Sequence, residues 1–158
     1  MFDRFAQPAR TAITLGADEA ARRGDRRLGT DHLLLGLLHD PEMAATLRID
    51  VQRARDESQV LDRRALAEIG FDVGDFAPPQ TTAKAAHTPL SSGVRSVLPR
   101  ALTLAGVEKS RRITARHVLL ALLERERPDP AAVLLDSLKI DRAEVRARLT
   151  ASHAAATR

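Results

Sequence analysis

The sequence contains no cysteine, no tryptophan and no tyrosine, and its only aromatic residues are four phenylalanines. The absence of cysteine excludes disulfides, thiolate nucleophiles and cysteine-ligated zinc. The absence of tryptophan and tyrosine removes rings on which single-stranded nucleic acids stack. No uninterrupted apolar run approaches the roughly 20 residues of a membrane-spanning helix. The start of the chain also lacks the basic and apolar regions of a signal peptide, so we expect a soluble, cytoplasmic protein.

Lysine is also scarce, because the 25 basic residues include only Lys84, Lys109 and Lys139. The arginines are interleaved with 21 acidic residues, which leaves a formal net charge of +4. This pattern differs from the clustered basic surface of most nucleic-acid-binding proteins. An all-α DNA-binding regulator nevertheless remains an alternative, since arginine pairs at 22–23 and 26–27 flank Gly24 as in a helix-turn-helix. A chain of 158 residues with 44% hydrophobic residues can bury the core of one compact domain.

One segment of the sequence recurs in degenerate form. Residues 26–38 read RRLGTDHLLLGLL and residues 111–123 read RRITARHVLLALL, an offset of 85. The positions that carry the hydrophobic pattern stay apolar in both copies. This repetition predicts that one supersecondary unit has been built twice.

The hydrophobic periodicity predicts an all-α fold. In the first copy, Pro8 suits a first helical turn and the apolar spacing predicts a helix over about 7–23 that ends at Gly24. Thr30 has the chemistry of an N-cap for a second, buried helix that ends before Pro41. In the second copy, Ser91 or Ser92, Thr114 and Asp141 are the predicted caps. The predicted helices of that copy lie at about 92–107, 114–126, 131–138 and after residue 141.

The second halves of the copies align at a different offset. Residues 65–72 resemble residues 134–141 at an offset of 69, which predicts a 16-residue insertion in the first copy, within 40–64, as a lengthened or additional surface helix. The predicted domains are a first repeat at 1–75, a linker at 76–89, a second repeat at 90–150 and a tail at 151–158. The linker assignment depends on its prolines and its few groups to bury.

The start Phe2-Asp3-Arg4-Phe5, the GTDHLLLG motif at 29–36 and the second copy after a linker together resemble the amino-terminal domain of the Clp protein-unfolding ATPases, particularly the ClpC branch. The resemblance implies a pseudo-twofold domain of two four-helix repeats that recruits substrates and adaptors to a ring-shaped unfoldase. Because no GxxxxGK[ST] phosphate-binding loop is present, we expect a non-enzymatic binding protein without a cofactor. We favour a free-standing homologue over a piece of a longer ATPase.

The resemblance implies a phosphoarginine pocket at Thr30 and Asp31. In ClpC-like domains the hydroxyl and the helix amides take the phosphate, and a carboxylate takes the guanidinium. Asp31 is one methylene shorter than the glutamate of the family. The second copy has Ala115 and Arg116 at these positions, so we expect at most one such pocket per chain. From the residues alone, Thr30 and Asp31 are interpreted as a helix cap and an acid that compensates the helix dipole.

The resemblance also implies a groove for adaptors and cyclic peptide antibiotics, at Phe2, Arg10, Ile13 and Leu90, with Leu90 in place of an aromatic residue. Phe2 could equally belong to the core. The partners implied are protein substrates or adaptors of a Clp protease system, with cyclic peptide antibiotics as a further class. Neither a nucleic acid nor a membrane is implied as a partner.

Three further features have structural interpretations. His32 and His117 lie at matched helix starts, and we expect each to bond a backbone carbonyl or the opposite repeat. We expect no metal site, because His32 and His39 are too far apart along their helix to bind one ion without further ligands. Pro99 falls inside a predicted helix, where it is expected to produce a kink and to reshape the surface of the second copy.

Overall fold

The computed structural model describes residues 3–72, 74 and 87–156, and its regular structure over these residues consists of α-helices. The four helices before the predicted linker are α1 (Gln7–Arg23), α2 (Thr30–Leu38), α3 (Pro41–Leu47) and α4 (Val51–Glu68). The four after it are α5 (Ser92–Val107), α6 (Ala115–Leu123), α7 (Pro130–Ser137) and α8 (Arg142–Ala156). None of the described helices is both long and apolar enough to cross a membrane.

The helix boundaries follow from local sequence signals. Gly24 ends α1 in the left-handed conformation at φ 78°, which glycine adopts without strain. Side-chain oxygens accept hydrogen bonds from amides in the first turns of five other helices, and these caps are Asp40, Asp50, Ser91, Asp129 and Asp141. The predicted helices at 7–23 and 92–107 are confirmed as α1 and α5.

The helices α2 and α6 form the centre of the molecule. Every residue of α2 is buried, as are eight of the nine residues of α6. The helix α2 packs against α1 of its own half and against α5, α6 and α7 of the other half. The two halves therefore share one continuous leucine-rich core.

Two short parallel backbone pairings join the halves. Phe5 pairs with Ile113, and Leu28 pairs with Leu90. In each pairing, one residue lies two positions before a buried helix: Leu28 before α2, or Ile113 before α6. This residue both donates and accepts a backbone hydrogen bond, at 2.8 or 2.9 Å. The two pairings are related by the 85-residue offset, with the halves exchanged. They support the inferred duplication and its pseudo-twofold arrangement.

The predicted 16-residue insertion is wrong. The turn after α3 has Arg48 at φ 55° and the turn after α7 has Lys139 at φ 58°, and each turn leads to a capping aspartate, Asp50 or Asp141. These turns are equivalent at an offset of 91, so the second copy is six residues longer between its second and fourth helices. The sequence match failed because it aligned the end of α4 with α7. Both segments have the same helical spacing of apolar residues. The turns at Arg48 and Lys139 also lack the glycine that commonly marks the end of a helix in a sequence.

Three further expectations concern the later part of the chain. The helix α8 extends to Ala156, so residues 151–156 are helical although a tail was expected there. Pro99 is exposed and lies inside α5, which continues through it. The expected kink and reshaped surface stay predictions. Most of the predicted linker, residues 76–86, lies outside the described residues.

Candidate functional site

Thr30 is the first residue of α2, and the predicted N-cap is wrong because the extended residue before the helix is Gly29. The Gly29 N–H donates to Nδ1 of His32 at 3.0 Å. Thr30 is 1% exposed, and its hydroxyl donates to Oδ1 of Asp129 at 2.6 Å while accepting from the N–H of Ala131 at 3.1 Å. Because Asp129 caps α7, the hydroxyl ties the start of α2 to the start of α7.

The carboxylate of Asp31 binds a guanidinium of its own chain. Arg23 Nη1 lies 2.7 Å from Asp31 Oδ2 and 3.0 Å from the hydroxyl of Ser58. The same guanidinium lies 3.3 Å from Asp25 and 3.1 Å from Asp62. Burial raises the pKa of Asp62; Arg23 opposes this rise, and the carboxylates of Asp31 and Asp25 add to it. The Asp31 side chain is 12% exposed, so a phosphoarginine would have to displace Arg23 to reach it.

The equivalent pair in the second half has its charges exchanged. Glu108 and Arg116 lie 85 residues after Arg23 and Asp31. Arg116 Nη1 lies 2.7 and 2.6 Å from the two carboxylate oxygens of Glu108. Burial alone would raise the pKa of Glu108, but hydrogen bonds from Arg116 and His117 outweigh it and lower that pKa. Arg116 therefore stands at the position equivalent to Asp31, and it is the cationic member of an ion pair within the chain.

His32 and His117 are buried beneath these pairs. Nδ1 of each accepts the N–H of the residue before its helix, Gly29 or Thr114, at 3.0 Å. Nε2 of each lies 2.9 Å from a carboxylate of the same half. These partners assign the ring proton to Nε2. The expected partner, a backbone carbonyl or the opposite repeat, is therefore wrong.

The residues of the predicted groove occupy different environments. Phe2 lies outside the described residues. Arg10 is partly buried on α1, and its Nε is buried with no hydrogen-bond partner among the described residues. Ile13, one turn further along α1, and Leu90, ahead of α5, are both partly buried against the shared core.

Glu19 is a buried carboxylate, 3% exposed, that was not singled out from the sequence. Arg55 Nε on α4 donates to its two oxygens at 3.1 and 3.0 Å, and Nε2 of His39 lies 2.8 Å from Oε1. Burial alone would raise the pKa of Glu19, but the hydrogen bonds from Arg55 and His39 outweigh it and lower that pKa. The sequence signal was available, because Glu19 falls on the same buried face of α1 as Ala9, Ala12 and Gly16.

No group of three or more histidine, aspartate or glutamate side chains is arranged to hold a metal ion among the described residues. The four acidic residues with lowered pKa are instead paired with arginines; they are Glu19, Glu108, Glu124 and Asp136.

The arrangement of helices is similar to that of solved amino-terminal domains of Clp-type chaperones. The N-terminal domain of the ClpD chaperone from Arabidopsis thaliana superposes with a TM-score of 0.73 at 22% identity, covering 96% of this chain and 99% of that chain. This chain has the fold of a Clp amino-terminal domain. The Hsp104 N-terminal domain from Candida albicans has the same fold, with a TM-score of 0.63, 18% identity and coverage of 93% and 89%.

Sequence relatives agree with the Clp assignment, and the all-α Clp fold predicted from the motifs is confirmed. The chain is 29% identical over 151 residues to a probable ATP-dependent Clp protease ATP-binding subunit from Chlamydia pneumoniae. It is 25% identical over 154 residues to a ClpA homologue from Porphyra purpurea and 27% identical over 154 residues to chloroplastic ClpC2 from rice, Oryza sativa. These matches cover 92–94% of this chain, which spans only 15–17% of the length of the relatives. No family model matches the chain.

Proposed function

We propose that the chain is a non-enzymatic module that binds protein substrates or adaptors of a Clp protease system. The observation that carries this proposal is the correspondence with the ClpD N-terminal domain over 96% of this chain and 99% of that one. The similarity is to the amino-terminal domain of these proteins and not to a nucleotide-hydrolysing domain. Binding without catalysis is the function that this part of the fold supports best.

The binding groove that we propose is formed by Phe2, Arg10, Ile13 and Leu90. Arg10 supports this assignment, because its side chain is only partly buried and its guanidinium can donate hydrogen bonds to carbonyl oxygens of a bound peptide. The partly buried side chains of Ile13 and Leu90 offer apolar contacts to the same ligand. A peptide backbone with apolar side chains fits these groups.

Cyclic peptide antibiotics directed at Clp unfoldases are a ligand class with this chemistry. A module that holds such a peptide with an affinity comparable to that of the unfoldase would protect the unfoldase by mass action when present in excess. Proteins marked by phosphoarginine are the second proposed class, with Thr30 and Asp31 as their site. Their binding requires that the ligand guanidinium displace Arg23 from Asp31 and that the Thr30 hydroxyl leave Asp129.

Titration of a labelled Clp-targeting cyclic peptide tests the groove. We expect saturable binding by the wild-type protein and weaker binding by Phe2→Ala and Arg10→Ala. Arg22→Ala is the matched control, because Arg22 is an exposed arginine on the same helix. Absence of binding to the wild type, or equal affinities for all four proteins, would contradict the groove assignment.

The DNA-binding alternative is less favoured, because Arg23, Arg55 and Arg116 are each ion-paired within the chain. These cations are not available to neutralise phosphates. A DNA affinity that falls steeply with salt concentration would revive the alternative.

A further inference from the structure

A cavity of about 280 Å³ lies between α1 and the segment that joins α2 to α3. Pro8, Ala12 and Leu15 line its apolar side, and His39 and Asp40 lie on its polar side. By the period of an α-helix, these three α1 residues lie on the side opposite to Arg10 and Ile13. The cavity is therefore separate from the proposed peptide groove.

The region of the second half that is equivalent to this cavity holds an arginine side chain of the chain itself. The positions equivalent to Leu15 and His39 are Arg100 and Glu124, at the 85-residue offset. Arg100 Nε lies 2.7 Å from Glu124 Oε2, and its Nη2 lies 3.0 Å from Glu124 Oε1. In the second half an arginine of the chain thus spans from the first helix of the copy to the end of the second helix and meets a carboxylate there. In the first half a leucine stands at that position.

The polar side of the cavity carries one carboxylate, that of Asp40. Asp40 Oδ1 caps α3 by accepting the N–H of Glu42 at 2.9 Å, and the carboxylate can accept further bonds at its second oxygen. Glu42 adds a second, exposed negative charge in the first turn of α3. His39 is bonded to Glu19, whose charge is balanced by Arg55. The lining residues from α1 carry no charge.

We infer that this cavity binds an arginine side chain of a protein partner. The guanidinium lies against the Asp40 carboxylate, and the methylene groups pack on Pro8, Ala12 and Leu15. A guanidinium forms two parallel hydrogen bonds with a carboxylate, as Arg100 does with Glu124. The inference rests on the proposed function only in that the arginine belongs to a bound protein, and it names a contact outside the groove.

The test is an NMR titration of the full chain with N-acetyl-arginine methylamide, compared with the neutral isostere N-acetyl-citrulline methylamide. We expect saturable shifts at residues of α1, the α2–α3 connection and the start of α3, and at least about fivefold weaker binding of citrulline. Equal affinities for the two probes, shifts centred elsewhere, or no saturable binding would overturn the inference. Because the probe is a single side chain, these outcomes are independent of whether cyclic peptides bind the groove.

Three variants sharpen the test. Asp40→Asn keeps a capping oxygen and removes the charge, so arginine binding is expected to weaken by about fivefold or more. Asp50→Asn makes the same change at the cap of α4, away from the cavity, and is expected to change affinity by less than about twofold. Leu15→Arg supplies an arginine from the chain itself and is expected to abolish binding. An Asp50→Asn effect equal to that of Asp40→Asn would show that only overall charge matters and would overturn the inference.

Discussion

At the scale of single residues, the two halves build the same ion pair with opposite polarity. Comparison of the copies position by position shows Asp31 replaced by Arg116, which suggests a lost function. The structure shows that the partner changed as well, from Arg23 to Glu108, so the pair is kept. The sequence could not reveal this, because the partners are eight residues apart and come together only through the turn between two helices.

Replacing Arg116 by glutamate is expected to destabilise the fold. The variant would place a second carboxylate beside Glu108 in a site where the Arg116 side chain is 14% exposed. We expect Arg116→Glu to lower the free energy of unfolding by about 3 kcal/mol, and Arg116→Gln to lower it by less. Adding Glu108→Gln to Arg116→Glu should recover part of the loss, because it removes the repulsion. Thermal and urea denaturation measure all three, and equal stability of Arg116→Glu and Arg116→Gln would contradict the pairing.

Phosphoarginine binding is expected at no more than one site per chain, since Arg116 repels a guanidinium in the second half. Arg23→Gln frees the carboxylate of Asp31 and should tighten binding by about tenfold or more over the wild type. Asp31→Ala should abolish binding in either background. Isothermal titration calorimetry with free phosphoarginine gives stoichiometry and affinity together. Two sites per chain, or binding that is insensitive to Asp31→Ala, would show that the pocket lies elsewhere.

At the scale of helices, most boundaries were predictable because they are set by local chemistry. Pro8, Gly24 and Ser91 act within one turn of their own positions, and the structure agrees with the prediction at each. The prediction of an insertion was wrong because the position of this segment in the fold depends on long-range contacts and not on local sequence signals. Its helix, α4, has a polar sequence, and its place in the fold is fixed by the contacts of Arg55 and Ser58 with α1.

Two glycines, Gly36 within α2 and Gly106 in the last turn of α5, are expected to respond oppositely to alanine substitution. A Cβ at Gly36 would overlap the carbonyl oxygen of Ala12 and lie 2.6 Å from the N of Gly16, where α2 crosses α1. A Cβ at Gly106 would meet nothing within 4 Å. We expect Gly36→Ala to cost about 3 kcal/mol through overpacking, and Gly106→Ala to add about 0.5–1 kcal/mol through helix propensity. Denaturation of both variants checks this, and a tolerated Gly36→Ala would refute the close crossing.

The contact of α1 with α4 through Glu19 is expected to make the fold sensitive to acid. The pKa of Glu19 is lowered in the folded state from its ordinary value of 4.5. The stability contributed by the ionised carboxylate is therefore fully present above pH 4.5 and is lost as the pH falls below 4.5. Glu19→Gln should lose about 3 kcal/mol at pH 7, where Arg55 is left unpaired, and should show a shallower decline of stability below pH 4.5. Urea denaturation across this range measures both effects. Asp18→Asn, an exposed change on the same helix, is the control, and parallel pH profiles for the wild type and Glu19→Gln would contradict the assignment.

At the scale of the whole molecule, the repeated motif was sufficient to predict an all-α Clp-type domain. The contacts that join the halves were less predictable. The hydrogen bond of Thr30 to Asp129 links residues 99 positions apart, and the sequence around Thr30 suggested a helix cap instead. Long-range polar contacts of this kind have no periodicity, so only the folded arrangement reveals them. The side chains of the predicted pocket, Thr30 and Asp31, are therefore both bonded within the chain, which the sequence did not reveal.

The central claim is that this domain binds Clp-system partners in the manner of an unfoldase N-terminal domain. The most direct test is a competition measurement with a labelled adaptor or substrate that is bound by the isolated N-terminal domain of a ClpC-type unfoldase. We predict saturable binding of this partner to the chain, and its displacement by the unfoldase domain as that domain is added. Binding should also weaken in Arg10→Ala and persist in Arg22→Ala. Absence of binding, or binding that the unfoldase domain does not compete for, would contradict the claim.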